Sequence, residues 1–218
     1  MQIVDLSYDI TEDIISWRGY PQPSLKEVLN ITREGYQASH VSFMSHTGTH
    51  IDAPSHTLKG APSLGELPVS HFFGKAVLID LRGIEQRVEI GDLFPYAERI
   101  EDSKFAVFYC GHQQYWGRRE FFYDYPVMTK EAAAWLCRFD LYGVGIDTYS
   151  IDPTDTKTSI NHRIVASNHM IVIENMANLG VIADKTRDRD GMFWLSVFPI
   201  KYPMADGSPV RAVGFVPP

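Results

Sequence analysis

Apolar and polar positions along the chain group into short β-prone runs separated by a few helical stretches. Residues 3–6 open with such a run, and 24–31 and 37–45 read as strands. Ala76-Val77-Leu78-Ile79-Asp80-Leu81 is almost continuously apolar, as a strand buried on both faces should be. Residues 105–109, 144–147 and 170–174 follow as further strands, the last two ending in Asp147 and Glu174. Two β-prone segments, 193–200 and 209–216, close the chain around a turn at Ala205-Asp206-Gly207-Ser208. Helices are expected between strands. One covers 92–99, with Pro95 in its first turn, and one or two turns cover 162–167. The best runs over 129–139, where Thr129 can cap and Glu131 suits the first turn. Strands interleaved with so few helices predict an α/β or α+β domain built on a mixed sheet. With no internal repeat or linker-like tract, one domain over 1–218 is expected.

Composition narrows the function. At 44% hydrophobic and 22% charged residues, the 218-residue chain is ordinary globular material with enough length for a sizeable core. The net charge of −7 and the absence of a Lys/Arg run argue against nucleic acid as partner. No apolar run approaches the roughly 20 residues that span a bilayer, and Met1-Gln2-Ile3-Val4-Asp5 does not read as a signal peptide. A cytoplasmic protein is expected. Cys110 and Cys137, far apart and outside any C-x-x-C pair, read as buried reduced thiols.

The chemistry concentrates in Ser45-His46-Thr47-Gly48-Thr49-His50-Ile51-Asp52-Ala53-Pro54-Ser55-His56. Imidazole and carboxylate together are a ligand set for zinc, manganese or iron. A flat strand would hold His46 and His50 about 13 Å apart, too far for ligands of one ion. The chain must therefore bend, and Gly48 is placed to allow it. An irregular turn after 37–45 is expected to aim His46, His50 and Asp52 at one point, with His56 just beyond Pro54. Further along, His162 stands near a helix start, and Glu174 closes an apolar run. A buried carboxylate needs a partner, and a metal serves as well as a salt bridge or hydrogen bond. Of the remaining histidines, His112 is a pocket candidate, whereas His40, His71 and His169 read as structural or surface residues. Trp17, Tyr20, Tyr115 and Trp116 sit in polar, loop-like contexts that suit pocket walls.

The string His46 to His56 resembles the H-x-G-T-H-x-D-x-P-x-H signature of the cyclase-type metal-dependent hydrolases, a superfamily that includes bacterial kynurenine formamidase and isatin hydrolase. Three further segments resemble that family in the expected order. They are Gly145-Ile146-Asp147-Thr148-Tyr149-Ser150-Ile151-Asp152, His162 with Ile173-Glu174-Asn175, and Asp206-Gly207-Ser208-Pro209-Val210-Arg211. The resemblance implies a swivelling β/β/α fold in a homo-oligomer, dimer or tetramer. It implies hydrolysis of a small amide, lactam or ester, of the N-formylkynurenine type. His46, His50 and Asp52 would bind a divalent metal, zinc before manganese. Asp52 would bridge to a second ion held with His162 and Glu174. His56 would be the general acid/base, and Trp17 would line the substrate pocket. The string Trp17-Arg18-Gly19-Tyr20-Pro21 differs from the W-P-G-D common in the formamidases.

Two other readings compete. His50-x-Asp52 with a distal His112 or His162 would suit a facial triad, hence a non-haem iron oxygenase. A metal that only stabilises the fold is the other, although closed structural sites favour cysteine, which this cluster lacks.

Overall fold

The computed structural model describes residues 1–218. The strands in chain order are β1 (Gln2–Asp5), β2 (Ser24–Leu29), β3 (Ala38–Ser42), β4 (His50–Asp52), β5 (Phe73–Asp80), β6 (Arg87–Val88) and β7 (Phe105–Tyr109). They continue as β8 (Val127–Met128), β9 (Gly143–Ile146), β10 (Ile171–Glu174), β11 (Met192–Ser196), β12 (Gly207–Pro209) and β13 (Val213–Val216). Nine of them form one sheet in the order β1-β13-β11-β5-β7-β9-β10-β4-β12. The central ladder β5-β7-β9-β10 is parallel, and every other pairing within this sheet is antiparallel. This is the expected α/β domain on a mixed sheet.

The apolar runs explain the centre. Phe105 to Tyr109 are all buried, and alternate residues feed two separate apolar clusters, one on each face. Phe105, Val107 and Tyr109 join one cluster, while Ala106 and Phe108 join the other.

The sheet must curl. In a flat sheet β12 and β13 would lie seven strand spacings apart, about 34 Å. Yet only Val210 to Ala212 separate them, a stretch that reaches about 14 Å at most. Rolling the sheet brings its two ends together. The Leu6 amide then donates to the Ala212 carbonyl and the Val210 amide to the Thr49 carbonyl.

Several expectations are refined. The 24–31 and 37–45 runs form strands, but these pair only with each other in a two-stranded hairpin outside the main sheet. Their residues are largely exposed, so no core face recruits them. The expected 92–99 helix is broken into Ile90–Leu93, a 3-10 turn Phe94–Tyr96 containing Pro95, and Ala97–Glu101, because proline removes a helical donor. Thr129 does cap Lys130–Leu136, accepting from the Ala132 amide. The 162–167 turns belong to a helix starting earlier, Ile160–Ala166.

Candidate functional site

Gly48 adopts φ +61° in the left-handed region, which a glycine accepts without a Cβ penalty. The bend ends the run that begins at His46 and starts β4 at His50. Strand alternation then puts His50 and Asp52 on one face, while the fully buried Ile51 anchors the other face in the core. Antiparallel pairing sets Glu174 opposite His50, and so delivers a second carboxylate from the end of β10. Pro54 opens a one-turn helix, Pro54–Thr57, that carries His56. His162 arrives on the helix Ile160–Ala166.

The residues expected to hold metal are therefore brought together. His46 Nδ1 lies 2.7 Å from Asp52 Oδ1. His50 Nε2 lies 3.3 Å from Asp52 Oδ1 and 3.5 Å from Glu174 Oε2. His162 Nε2 lies 3.3 Å from Asp52 Oδ2 and 3.2 Å from Glu174 Oε1. One donor atom each from His50, Asp52 and Glu174 fall within 4.8 Å of one another, and so do those of His46, Asp52 and His56. Asp52 is common to both groups, and Glu174 groups with His50 as well as approaching His162.

The nitrogens that face away from this centre are each held. His50 Nδ1 lies 2.9 Å from the Gly48 carbonyl and His162 Nδ1 2.7 Å from Asp152 Oδ2. His46 Nε2 lies 3.2 Å from Asp206 Oδ2. An acceptor on the outer nitrogen takes its N–H and turns the lone pair of the other nitrogen inward, the arrangement around metal-binding imidazoles. His50 Nε2 is buried and makes no hydrogen bond. Three inward imidazole nitrogens, one of them buried without a hydrogen bond, and two carboxylates fit a divalent cation.

Electrostatics express the same crowding. Burial opposes charge on His46, but the Asp52 charge and hydrogen bonds to Asp206 and Asp52 outweigh it, raising the pKa to about 9. Burial is likewise overcome at His50 by Asp52 and Glu174, giving about 10. His162 is raised well above its ordinary value against burial, through Asp152, Asp52 and Glu174. Asp52 is held well below the carboxylate range despite burial, by His46, His162 and His50. At His56 the nearby carboxylates do not outweigh burial, and the pKa is lowered, which favours the neutral ring.

The cavity beside these groups measures about 160 Å³. One wall is aromatic. Trp17 stacks on Tyr149 at 5.4 Å and meets Phe122 edge-on at 5.4 Å. Tyr20 and Trp116 also line it, Trp116 being stacked on Tyr8 at 3.8 Å. Tyr115 and His112 instead face a neighbouring groove. His112 is buried, with Nε2 3.0 Å from the Phe121 carbonyl. His40 and His169 are exposed, and His71 stacks on Tyr142.

Sequence reasoning did not single out Asp152, Asn175 or Asp206 as site residues. Asn175 sits at φ +58° and donates through Nδ2 to the Gly48 carbonyl, fixing the bend between the ligand positions. All three lie in the segments that carry the family resemblance, which was the available signal.

The family described as "Putative cyclase" matches residues 4–153. Kynurenine formamidase of Bacillus cytotoxicus is 28% identical over 214 residues, covering 96% of this chain and 95% of that protein. The Bordetella petrii enzyme of the same name is 27% identical over 181 residues, covering 80% and 78%. Isatin hydrolase A from Labrenzia aggregata, solved bound to benzyl benzoate, superposes with a TM-score of 0.83 at 21% identity, covering 99% of this chain and 93% of that one. An isatin hydrolase bound to the product analogue thioisatinate superposes with a TM-score of 0.84 at 17% identity, covering 100% and 93%.

Proposed function

The chain belongs to the Putative cyclase family, and on that footing we propose that it is a metal-dependent hydrolase of amide C–N bonds in small aryl compounds, arylformamidase-like. The observation that carries this reading is the convergence of His46 Nδ1, His50 Nε2 and His162 Nε2 on Asp52 and Glu174. Those five residues would hold the cation. The donor set suits zinc first and manganese second, and the two donor groups sharing Asp52 allow one ion or two. A divalent cation there supplies Lewis-acid polarisation of a carbonyl and lowers the pKa of water.

The chain's own residues supply the rest. His56, at the cavity edge with its neutral ring favoured, takes a proton from the attacking water. The resulting imidazolium returns it to the leaving nitrogen. Trp17, Phe122 and Tyr149 give an aromatic wall against which an aryl group can pack. An oxygenase triad would use three ligands and leave two of the five unexplained, and relatives of nearly full length are named as formamidases.

The substrate test is hydrolysis of N-formylkynurenine beside aryl amides, lactams and esters. Aryl amides are expected to be best, and equal turnover of alkyl and aryl compounds would contradict the pocket assignment. His56→Ala should keep its metal and lose about 10²–10⁴-fold in kcat. Full activity in that variant would remove His56 from the role.

We also assign the protein to the cytoplasm as a homo-oligomer. No helix is long and apolar enough to cross a membrane, and both cysteines are free. The β2–β3 hairpin exposes Leu25, Val28 and Val41, and an isolated two-stranded hairpin is marginal in water. A monomer in light scattering would count against the oligomer.

A further inference from the structure

His46 and His56 approach each other to 4.1 Å between ring centroids, and besides Asp52 a second carboxylate, Asp206, stands beside both. Asp206 Oδ2 is 3.2 Å from His46 Nε2 and 3.9 Å from His56 Nδ1. Its backbone is fixed by β12: the Ala53 amide donates to the Asp206 carbonyl at 2.8 Å, and Gly207 stands opposite Asp52 in the ladder. The next residue provides the room. A Cβ on Gly207 would lie 2.5 Å from His46 Cε1, 2.9 Å from Nδ1 and 3.0 Å from Nε2. A Cβ does not approach non-bonded atoms below 3.0 Å, so the imidazole lies across the bare Cα of Gly207. Gly207 has an ordinary backbone conformation, so space and not φ demands glycine here. Asp206 faces an outer groove bounded by Tyr202 and Met204, and it does not line the aromatic cavity.

We propose that Asp206 and Gly207 form one positioning device. Gly207 seats the His46 ring, and the Asp206 carboxylate takes its Nε2–H, turns Nδ1 inward, and holds the Nδ1 side of His56 so that its Nε2 is presented to substrate. The device rests on the metal-hydrolase reading and assigns its precision to residues outside the ligand set. Asp206 acts through the two imidazoles, so its loss changes metal affinity and turnover while leaving substrate binding alone.

Zinc affinity is read by competition with a chromophoric chelator, and turnover on the best aryl amide. Asp206→Ala is expected to weaken zinc binding or lower kcat by about 10–100-fold, the usual cost of losing an outer partner of a metal-bound histidine, with KM unchanged. Asp206→Asn keeps an acceptor and should recover part of the loss. Gly207→Ala should lower the melting temperature in the native background and have little effect when His46 is already alanine, because the clash then has no second party. Wild-type zinc affinity and kcat in Asp206→Ala, or an equal cost of Gly207→Ala with and without His46, would overturn the proposal alone. Wild-type protein that neither binds zinc or manganese nor hydrolyses any amide would overturn the underlying reading and the proposal with it.

Discussion

Without metal, the proposed site carries protons on the imidazoles that would be its ligands. His46 and His50, raised to about 9 and about 10, are charged at pH 7, yet a metal needs neutral imidazoles. Metal uptake at pH 7 should therefore release protons, and apparent affinity should climb as pH rises toward those values. Calorimetry in buffers of different ionisation enthalpy measures the release, and none at pH 7 would contradict the assignment of both rings. The sign for stability is opposite. A histidine whose folded pKa lies above 6.5 stabilises fully below 6.5 and loses that contribution as pH rises through 9 to 10. Asp206 is lowered to about 2, first by the His46 hydrogen bond, so its contribution is present above 3.8 and fades as pH falls through 2. These groups favour the metal-stripped protein most between about pH 4 and 6.5.

Among the elements, β9 and β10 determine how accurately Glu174 is delivered. Gly143 stands opposite Ile171, and a Cβ there would lie 2.6 Å from both the Ile171 carbonyl oxygen and its Cγ1. The backbone atom cannot swing aside as a side chain could. Gly143→Ala should destabilise by about 1–3 kcal/mol, read as a drop of several degrees in melting temperature, and should lower metal affinity as β10 shifts. An unchanged melting temperature would show the ladder to be more yielding than described. Strands such as 105–109 were legible because an unbroken apolar run must be covered on both sides. The hairpin strands were legible as strands, but their polarity pattern did not reveal that they leave the main sheet. The C-terminal run 209–216 is β-prone in sequence, and Val210–Ala212 interrupt it where the chain passes between the two ends of the curled sheet. The helix Leu179–Lys185 was not foreseen: it contains Gly180 and has no side-chain cap. Gly180 is there for packing, since a Cβ would lie 2.8 Å from Tyr109 Oη. At the site, His46, His50, Asp52 and His56 were legible because they crowd into eleven residues. Asp206 was not, because only folding brings it across 160 positions to His46.

For the whole molecule, two apolar clusters hold the sheet without help from the site. Twenty-three buried residues form one and nineteen the other, all of them apolar. A metal held at the proposed site would complete a fold that already has its own core, unlike a small domain that folds only around its ion. Chelated protein should keep its circular dichroism and melt cooperatively, at a lower temperature. Loss of all secondary structure on chelation would favour the purely structural reading. The most direct test of the whole account is elemental analysis of protein purified without chelator, paired with amide hydrolysis before and after chelation and for His50→Ala. About one to two equivalents of zinc or manganese are expected, with hydrolysis abolished by chelator and restored by the ion, and little metal in the variant. Undiminished hydrolysis by fully metal-stripped protein would contradict it.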